Sequence, residues 1–396
     1  MSFNPLKEKP VDLFSSLINW KEMYPASYNK DTADPYTKTR IILMNGTEFE
    51  AVWFGHHFSR HCNNNELRRD LALARRIEQQ QQKEISCLKP INENILETTI
   101  SYEQLAVDLT ALLAKKEPDN NVKKALNFAL LEDFDHLYRY ADLLDLEFGI
   151  KAEKLVGGYT EIMPARPTIS HHRHPFDDIR YHIDGNASDM ITKLHVNIIT
   201  AAEQQTMNYY MNVAGFYSSD LGRKLYQEIG MVEEEHVSSY GSLIDTTNTL
   251  IECLIMHEYT ECYLYYSCYM DETDKNVKSM WERHLIQEIA MLHKAKELLQ
   301  KYEGRDIDEV IPDGEFPELL SFKESNIDYV RTVLNDTVNL TSKKEDYVEL
   351  NKLNDNADFF MYNSKVNGDT ENVPSHNIIK KYIETKGIDY RYETKE

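Results

Sequence analysis

At 396 residues the chain is long enough to bury one large core or two. Hydrophobic residues make up 41% and charged residues 28%, the balance of a globular protein rather than a disordered or fibrous one. Lys and Arg total 44 against 66 Asp and Glu, and the net charge of −22 argues against partners with a phosphate backbone or an anionic membrane surface.

Residues 1–60 read as a small α+β lobe: Arg40 to Met44, then Asn45-Gly46, then Thr47 to Phe54 predicts a β-hairpin, because Asn-Gly suits a two-residue turn. A polar helix is expected from Asn65 to Glu84, stopped by Pro90. A long helical hairpin follows over about 93–147, turning at Glu117-Pro118-Asp119-Asn120. Residues 148–187 show no helical period and carry Gly157-Gly158, three prolines and His171-His172-Arg173-His174. Two more helical hairpins are expected at 188–245 and 248–302, turning at Ser218-Ser219-Asp220 and at 271–274. The domain reading is a lobe at 1–60, a helical domain at 61–302 containing the crossover 148–187, and a polar C-terminal extension at 303–396. That extension should hold short helices near 322–340 and at Ile378–Ile383.

Three hairpins place a carboxylate thirty residues before another: Glu103 with Asp133, Glu203 with Glu233, and Glu258 with Glu288. In the first two, a histidine follows the second acid by three, giving Asp133-x-x-His136 and Glu233-x-x-His236. Residues three apart share a helix face, so each acid and histidine can hold one metal ion. A lone Glu with Asp/Glu-x-x-His on the next helix, given twice, is the ligand set of a two-iron site in a four-helix bundle. All but Glu103 also fall within apolar stripes, such as Leu126, Ala129, Asp133, His136, Tyr140 and Leu144; Glu103 and Glu97 flank the stripe Leu105, Leu109, Leu112, and Glu103 is chosen on spacing. Buried carboxylates are costly to ionise unless paired or metal-bound. Glu97 is the substitute for Glu103 on the first helix, and Glu132 the substitute for Asp133. Glu258, Glu261, His284 and Glu288 could complete the site, build a second one, or form a buried hydrogen-bonded network, and the network is the expectation. The loop histidines His56, His57, His61, His171, His172 and His174 lack a zinc spacing and read as surface or packing residues.

On these motifs the chain resembles the ferritin-like superfamily of di-iron carboxylate proteins, such as rubrerythrins, ferritins and the ribonucleotide reductase small subunit, over roughly 93–302. The resemblance implies a mainly α fold, a ferritin-like four-helix bundle with a long crossover, here with an additional helical hairpin and the small N-terminal lobe. Forty residues at 148–187 can return the chain along a bundle, while Asp245 to Asn248 cannot, so the first two hairpins should share the site. By matching position, Glu103, Asp133 and His136 would hold one side and Glu203, Glu233 and His236 the other, with Asp133 and Glu233 free to bridge. Asp133 stands where the family has Glu, one methylene shorter. Two iron ions are the implied cofactor, with manganese as the alternative. The function expected is a di-iron oxidoreductase that uses or reduces O2 or peroxide, with a small-molecule substrate of unknown identity and an external electron donor. Iron storage with ferroxidase activity and a metal-free helical scaffold are the competing readings, and a homodimer is a candidate assembly. The cytoplasm is the expected compartment: the opening MSFNPLKEKPVDLF lacks the apolar core of a signal peptide, no run approaches ~20 apolar residues, and five cysteines never form Cys-x-x-Cys. The last point also excludes a fused rubredoxin-type iron centre as electron source.

Overall fold

The computed structural model describes residues 3–392, and among them the chain is mainly helical. The long helices are α1 (Pro35–His61), α2 (Asn65–Ser86), α3 (Ile95–Lys116) and α4 (Asn120–Phe148). After a single turn, α5 (Ala152–Leu155), come α6 (Met190–Phe216), α7 (Asp220–Ser242), α8 (Leu250–Asp271) and α9 (Lys275–Glu303). The shorter α10 (Ile327–Thr337), α11 (Asp358–Asn367) and α12 (Pro374–Lys386) follow. The one sheet among the described residues pairs β1 (Leu340–Lys343) with β2 (Asp346–Glu349), antiparallel.

The expected N-terminal β-hairpin is therefore a helix. Asp34 caps α1 by accepting from the Tyr36 amide at 2.8 Å, and Pro35 fills the first turn, where its missing N–H costs nothing. Gly46 within a helix costs about 1 kcal/mol relative to Ala. Burial outweighs that cost, since Ile41, Ile42, Leu43 and Met44 are all buried and pack toward α2 and α8. Four consecutive buried apolar residues need a helix that is covered on several sides, whereas a hairpin strand would alternate.

With α1 helical, a repeat becomes visible. Residue n of the first half corresponds to residue n + 155 of the second: α1 and α6 begin at 35 and 190, α2 and α7 at 65 and 220, α3 and α8 at 95 and 250, α4 and α9 at 120 and 275. The local chemistry repeats too. Asn94 with Glu97 and Thr249 with Glu252 each form a capping box at the start of α3 and α8. Asp119 and Asp274 cap α4 and α9 in the same way, each accepting from the amides two and three residues on. Gly149 and Gly304 end those helices in the left-handed region, at φ 65° and 68°.

The chain divides into two compact units. The first contains α1, α2, the N-terminal part of α6 to Ala201, α8 and α9; the second contains α3, α4, α6 from Ala202, α7 and the chain from Glu324 onward. Each unit thus joins a hairpin of one repeat to a hairpin of the other. This differs from the expected domains: the helical region 61–302 is shared between two units, and residues 3–60 belong with α2, α8 and α9, α1 packing on α2 and α8. The C-terminal segment is an integral part of the second unit, with Ile378 and Tyr382 buried on α4 and α7 and Arg391 bonded to Asp142 at 2.6 Å. No helix of the described residues is long and apolar enough to cross a membrane.

Candidate metal centre

In the second unit, α3 presents Glu103, α4 Asp133 and His136, α6 Glu203, and α7 Glu233 and His236, and each of these side chains is at most 1% exposed. Ligand-type atoms of Asp133, Glu203, Glu233 and His236 lie within 4.8 Å of one another, and those of Glu103, His136 and Glu233 do likewise. All six residues singled out in the sequence therefore meet in one place. Glu233 belongs to both groups and links them. Asp133, one methylene shorter, belongs only to the group around His236.

His136 Nδ1 lies 2.9 Å from Glu233 Oε1. His236 Nδ1 faces Asp133 Oδ1 and Glu233 Oε2, both at 3.3 Å, and Glu203 Oε2 at 3.9 Å. The other nitrogen of His236, Nε2, sits 2.9 Å from Glu132 Oε2. Glu132 accepts hydrogen bonds from Arg166 Nη2 at 3.0 Å and from Arg173 Nη1 at 3.0 Å to each oxygen. A carboxylate locked by two guanidiniums is a strong acceptor, so it fixes the Nε2–H tautomer and turns the Nδ1 lone pair inward. Glu132 is thus an outer partner of His236 and does not replace Asp133. Glu97 does not replace Glu103 either: its carboxylate closes the capping box on the Asn94 amide at 2.9 Å, while Glu103 accepts from the Tyr210 hydroxyl.

The electrostatics of the cluster follow from burial and crowding. Burial, reinforced by the charge of Glu233, pushes Glu103 well above the usual carboxylate range; burial and Asp133 do the same to Glu203. Burial also raises Asp133, with His236 opposing. Burial would raise Glu233, but its hydrogen bond with His136 and the nearness of His236 bring it down to about 2. Burial disfavours the His236 cation, yet the charge of Asp133 close by lifts it well above its ordinary value. Even so, Glu103 Oε2, both oxygens of Asp133 and Glu203, Glu233 Oε2, His136 Nε2 and His236 Nδ1 are buried and make no hydrogen bond. Each such atom costs about 1–3 kcal/mol when left without a partner. Carboxylate and imidazole lone pairs directed at a common interior point are what a pair of divalent ions would satisfy.

Sequence reasoning missed the outer shell. Arg166, Arg173 and Asp178 come from the crossover, where residue type alone does not reveal a partner. Arg173 also bonds Asp178 at 2.7 Å and lies 3.1 Å from Glu235. The crossover histidines split: His171 and His172 are buried, His171 with its ring 5.7 Å from that of His136, while His174 is half-buried and caps a short turn. His56, His57 and His61 are exposed, as expected. Crossover residues Thr160 to Ala165, Leu131 of α4 and Ile327 and Leu334 of α10 line an open cleft of about 960 Å³ in this unit. Glu258, Glu261, His284 and Glu288 belong to the first unit and do not complete this centre. The His284 ring bonds Glu84 at 2.8 Å and Tyr265 at 3.1 Å, so part of the expected network exists with different partners.

Comparison with known proteins finds no matching family model, no similar curated protein and no similar solved structure.

Proposed function

We propose that the second unit is a ferritin-like di-iron carboxylate centre and that the protein is an oxidoreductase using or reducing O2 or peroxide. The observation that carries this reading is the set of buried, unbonded donor atoms on Glu103, Asp133, His136, Glu203, Glu233 and His236. Asp133, Glu203 and His236 Nδ1 would hold one ion and Glu103 and His136 the other, with Glu233 reaching both. A pair of iron ions held there supplies two electrons together to a bound oxidant. The chain's own groups do the rest. Glu132, clamped by Arg166 and Arg173, keeps His236 in one tautomer and raises its basicity, and Tyr210 orients Glu103. The apolar stripes of α3, α4 and α7 keep bulk water from the site. The cleft along the crossover is the entry we assign to an organic substrate, and electrons come from a separate donor. A reducing cytoplasm agrees with five cysteines that form no disulfide.

The test is iron loading of the purified full chain, read by elemental analysis, visible absorption and O2 consumption under supplied reductant. About two iron ions per chain are expected in the second unit, and His136→Ala with His236→Ala should remove them while the helical circular dichroism persists. Iron below half an ion per chain would sink the reading. O2 consumption that stops once ferrous iron is exhausted would indicate a ferroxidase instead.

A further inference from the structure

The first unit carries its own buried acids in the same frame. α1 presents Glu48 and, thirty residues on, α2 presents Glu78, a fourth pair that the hairpin reading concealed. α8 adds Glu258 and Glu261, and α9 adds Glu288; with Gln81 of α2, none of these side chains is more than 2% exposed. Carboxylate oxygens of Glu78, Glu258 and Glu261 lie within 4.8 Å of one another. Taken in chain order of the hairpins, the supporting bonds follow the same pattern as in the second unit. Tyr265, seven after Glu258, donates to Glu48, as Tyr210, seven after Glu203, donates to Glu103. Gln81, three after Glu78, donates to Glu288, as His136, three after Asp133, pairs with Glu233.

What differs is the donor chemistry. The positions held by His136 and His236 in the second unit are Gln81 and Met291 here. The nearby basic groups are engaged elsewhere: Arg283 and His284 each bond Glu84 at 2.8 Å, and Arg75 bonds the Gly55 carbonyl at 2.9 Å. His257 stands at the margin, 3.2 Å from Glu50 and 3.6 Å from Glu261. Meanwhile Glu48 Oε2, Glu78 Oε2, Gln81 Oε1, Glu258 Oε2, both oxygens of Glu261 and Glu288 Oε2 are buried without a hydrogen bond.

We propose that the first unit is a second, chemically distinct metal site, holding one hard divalent cation of the manganese, magnesium or calcium class between Glu78, Glu258 and Glu261. Glu48, Glu288 and the Gln81 amide oxygen flank it. An all-oxygen set suits such ions, whereas iron or zinc chemistry gains from imidazole, and a Met thioether adds nothing for a hard ion. This site is independent of the di-iron reading: its donors are its own.

Manganese titration of the metal-free full chain, with free Mn2+ followed by electron paramagnetic resonance, tests it from both sides. The His136→Ala, His236→Ala chain, crippled only in the second unit, should still bind roughly one Mn2+ and melt at a higher temperature when Mn2+ is present. The Glu258→Gln, Glu261→Gln chain should bind one Mn2+ fewer than the unaltered protein. Absence of Mn2+ binding and of any melting shift in the histidine variant overturns the proposal, whether or not the glutamine variant folds. So does a folded glutamine variant with undiminished Mn2+ content.

Discussion

Three residues after the second acid of each hairpin, the second unit has histidine twice, at His136 and His236, and the first unit has Gln81 and Met291. The surrounding frame is otherwise shared: acids thirty apart, a tyrosine bonded to the lone Glu, and a side chain at the third position reaching across to the opposite acid. The support differs with the ligands. The residue before the second acid of α4 is Glu132, backed by Arg166 and Arg173, while its counterpart 155 residues on is the neutral Gln287 of α9, which donates to the Ser16 carbonyl at 3.1 Å. An imidazole needs an acceptor for its second N–H; where none is present, none is provided for. The lesson is that the helical frame fixes where donors converge, and two side chains with their outer partner decide which ions the donors suit.

The largest effect should come from exchanging those side chains. Gln81→His with Met291→His gives the first unit the donor set of the second, and iron per chain after loading should rise from about two to as many as four. The reciprocal change, His136→Gln with His236→Met, should abolish iron binding in the second unit. Elemental analysis and the visible spectrum check both. Unchanged iron content in the first exchange would mean that the frames, not the ligands, differ.

A smaller effect concerns what holds the first unit together. Arg40 of α1 bonds Glu272 at the end of α8 at 3.0 Å, both side chains buried, and Thr37 and Trp281 add bonds at 2.6 Å and 3.2 Å. Arg40→Met leaves the carboxylate buried with its charge unmatched, at a cost of about 3–5 kcal/mol. Burial alone would raise Glu272, but Arg40 and these hydrogen bonds hold it below its usual 4.5. Because the folded value is the depressed one, the stability it contributes is present above pH 4.5 and is lost as pH falls through the folded value. Denaturant unfolding at neutral and acid pH should show the gap between the unaltered protein and Arg40→Met closing in acid. A gap independent of pH would show that the loss is one of packing.

Much of the second unit's centre was legible because its evidence is local. Asp133-x-x-His136 and Glu233-x-x-His236 are read within one helical turn, and the spacing to Glu103 and Glu203 within one hairpin. The forty-residue crossover then indicated which hairpins meet. The first unit was hidden by one dipeptide. Asn45-Gly46 is a strong turn signal, and only tertiary burial of Ile41 to Met44 overrides it. Losing α1 lost Glu48, the fourth acid pair and the repeat, although Glu97 and Glu252, Asp119 and Asp274, and Gly149 and Gly304 carry the same offset of 155 in plain view. Arg166 and Arg173 were not legible at all, since nothing local links a crossover arginine to a helical glutamate more than thirty residues away.

The smallest expected effect measures how far the two units remain equivalent. Gly149 ends α4 and Gly304 ends α9, both left-handed, with their amides bonded back to Asp145 O at 3.0 Å and Gln300 O at 3.2 Å. A methyl added at either glycine meets no atom within 4 Å. Steric crowding therefore contributes nothing, and only the backbone preference of an L-residue for negative φ opposes the change. Gly149→Ala and Gly304→Ala should each cost about 1 kcal/mol, equal within a few tenths. Urea unfolding of the full chain measures both. If one substitution costs more than about 2 kcal/mol while the other follows the conformational expectation, the two helix ends are not held alike, and the repeat is one of sequence register without equal local stability.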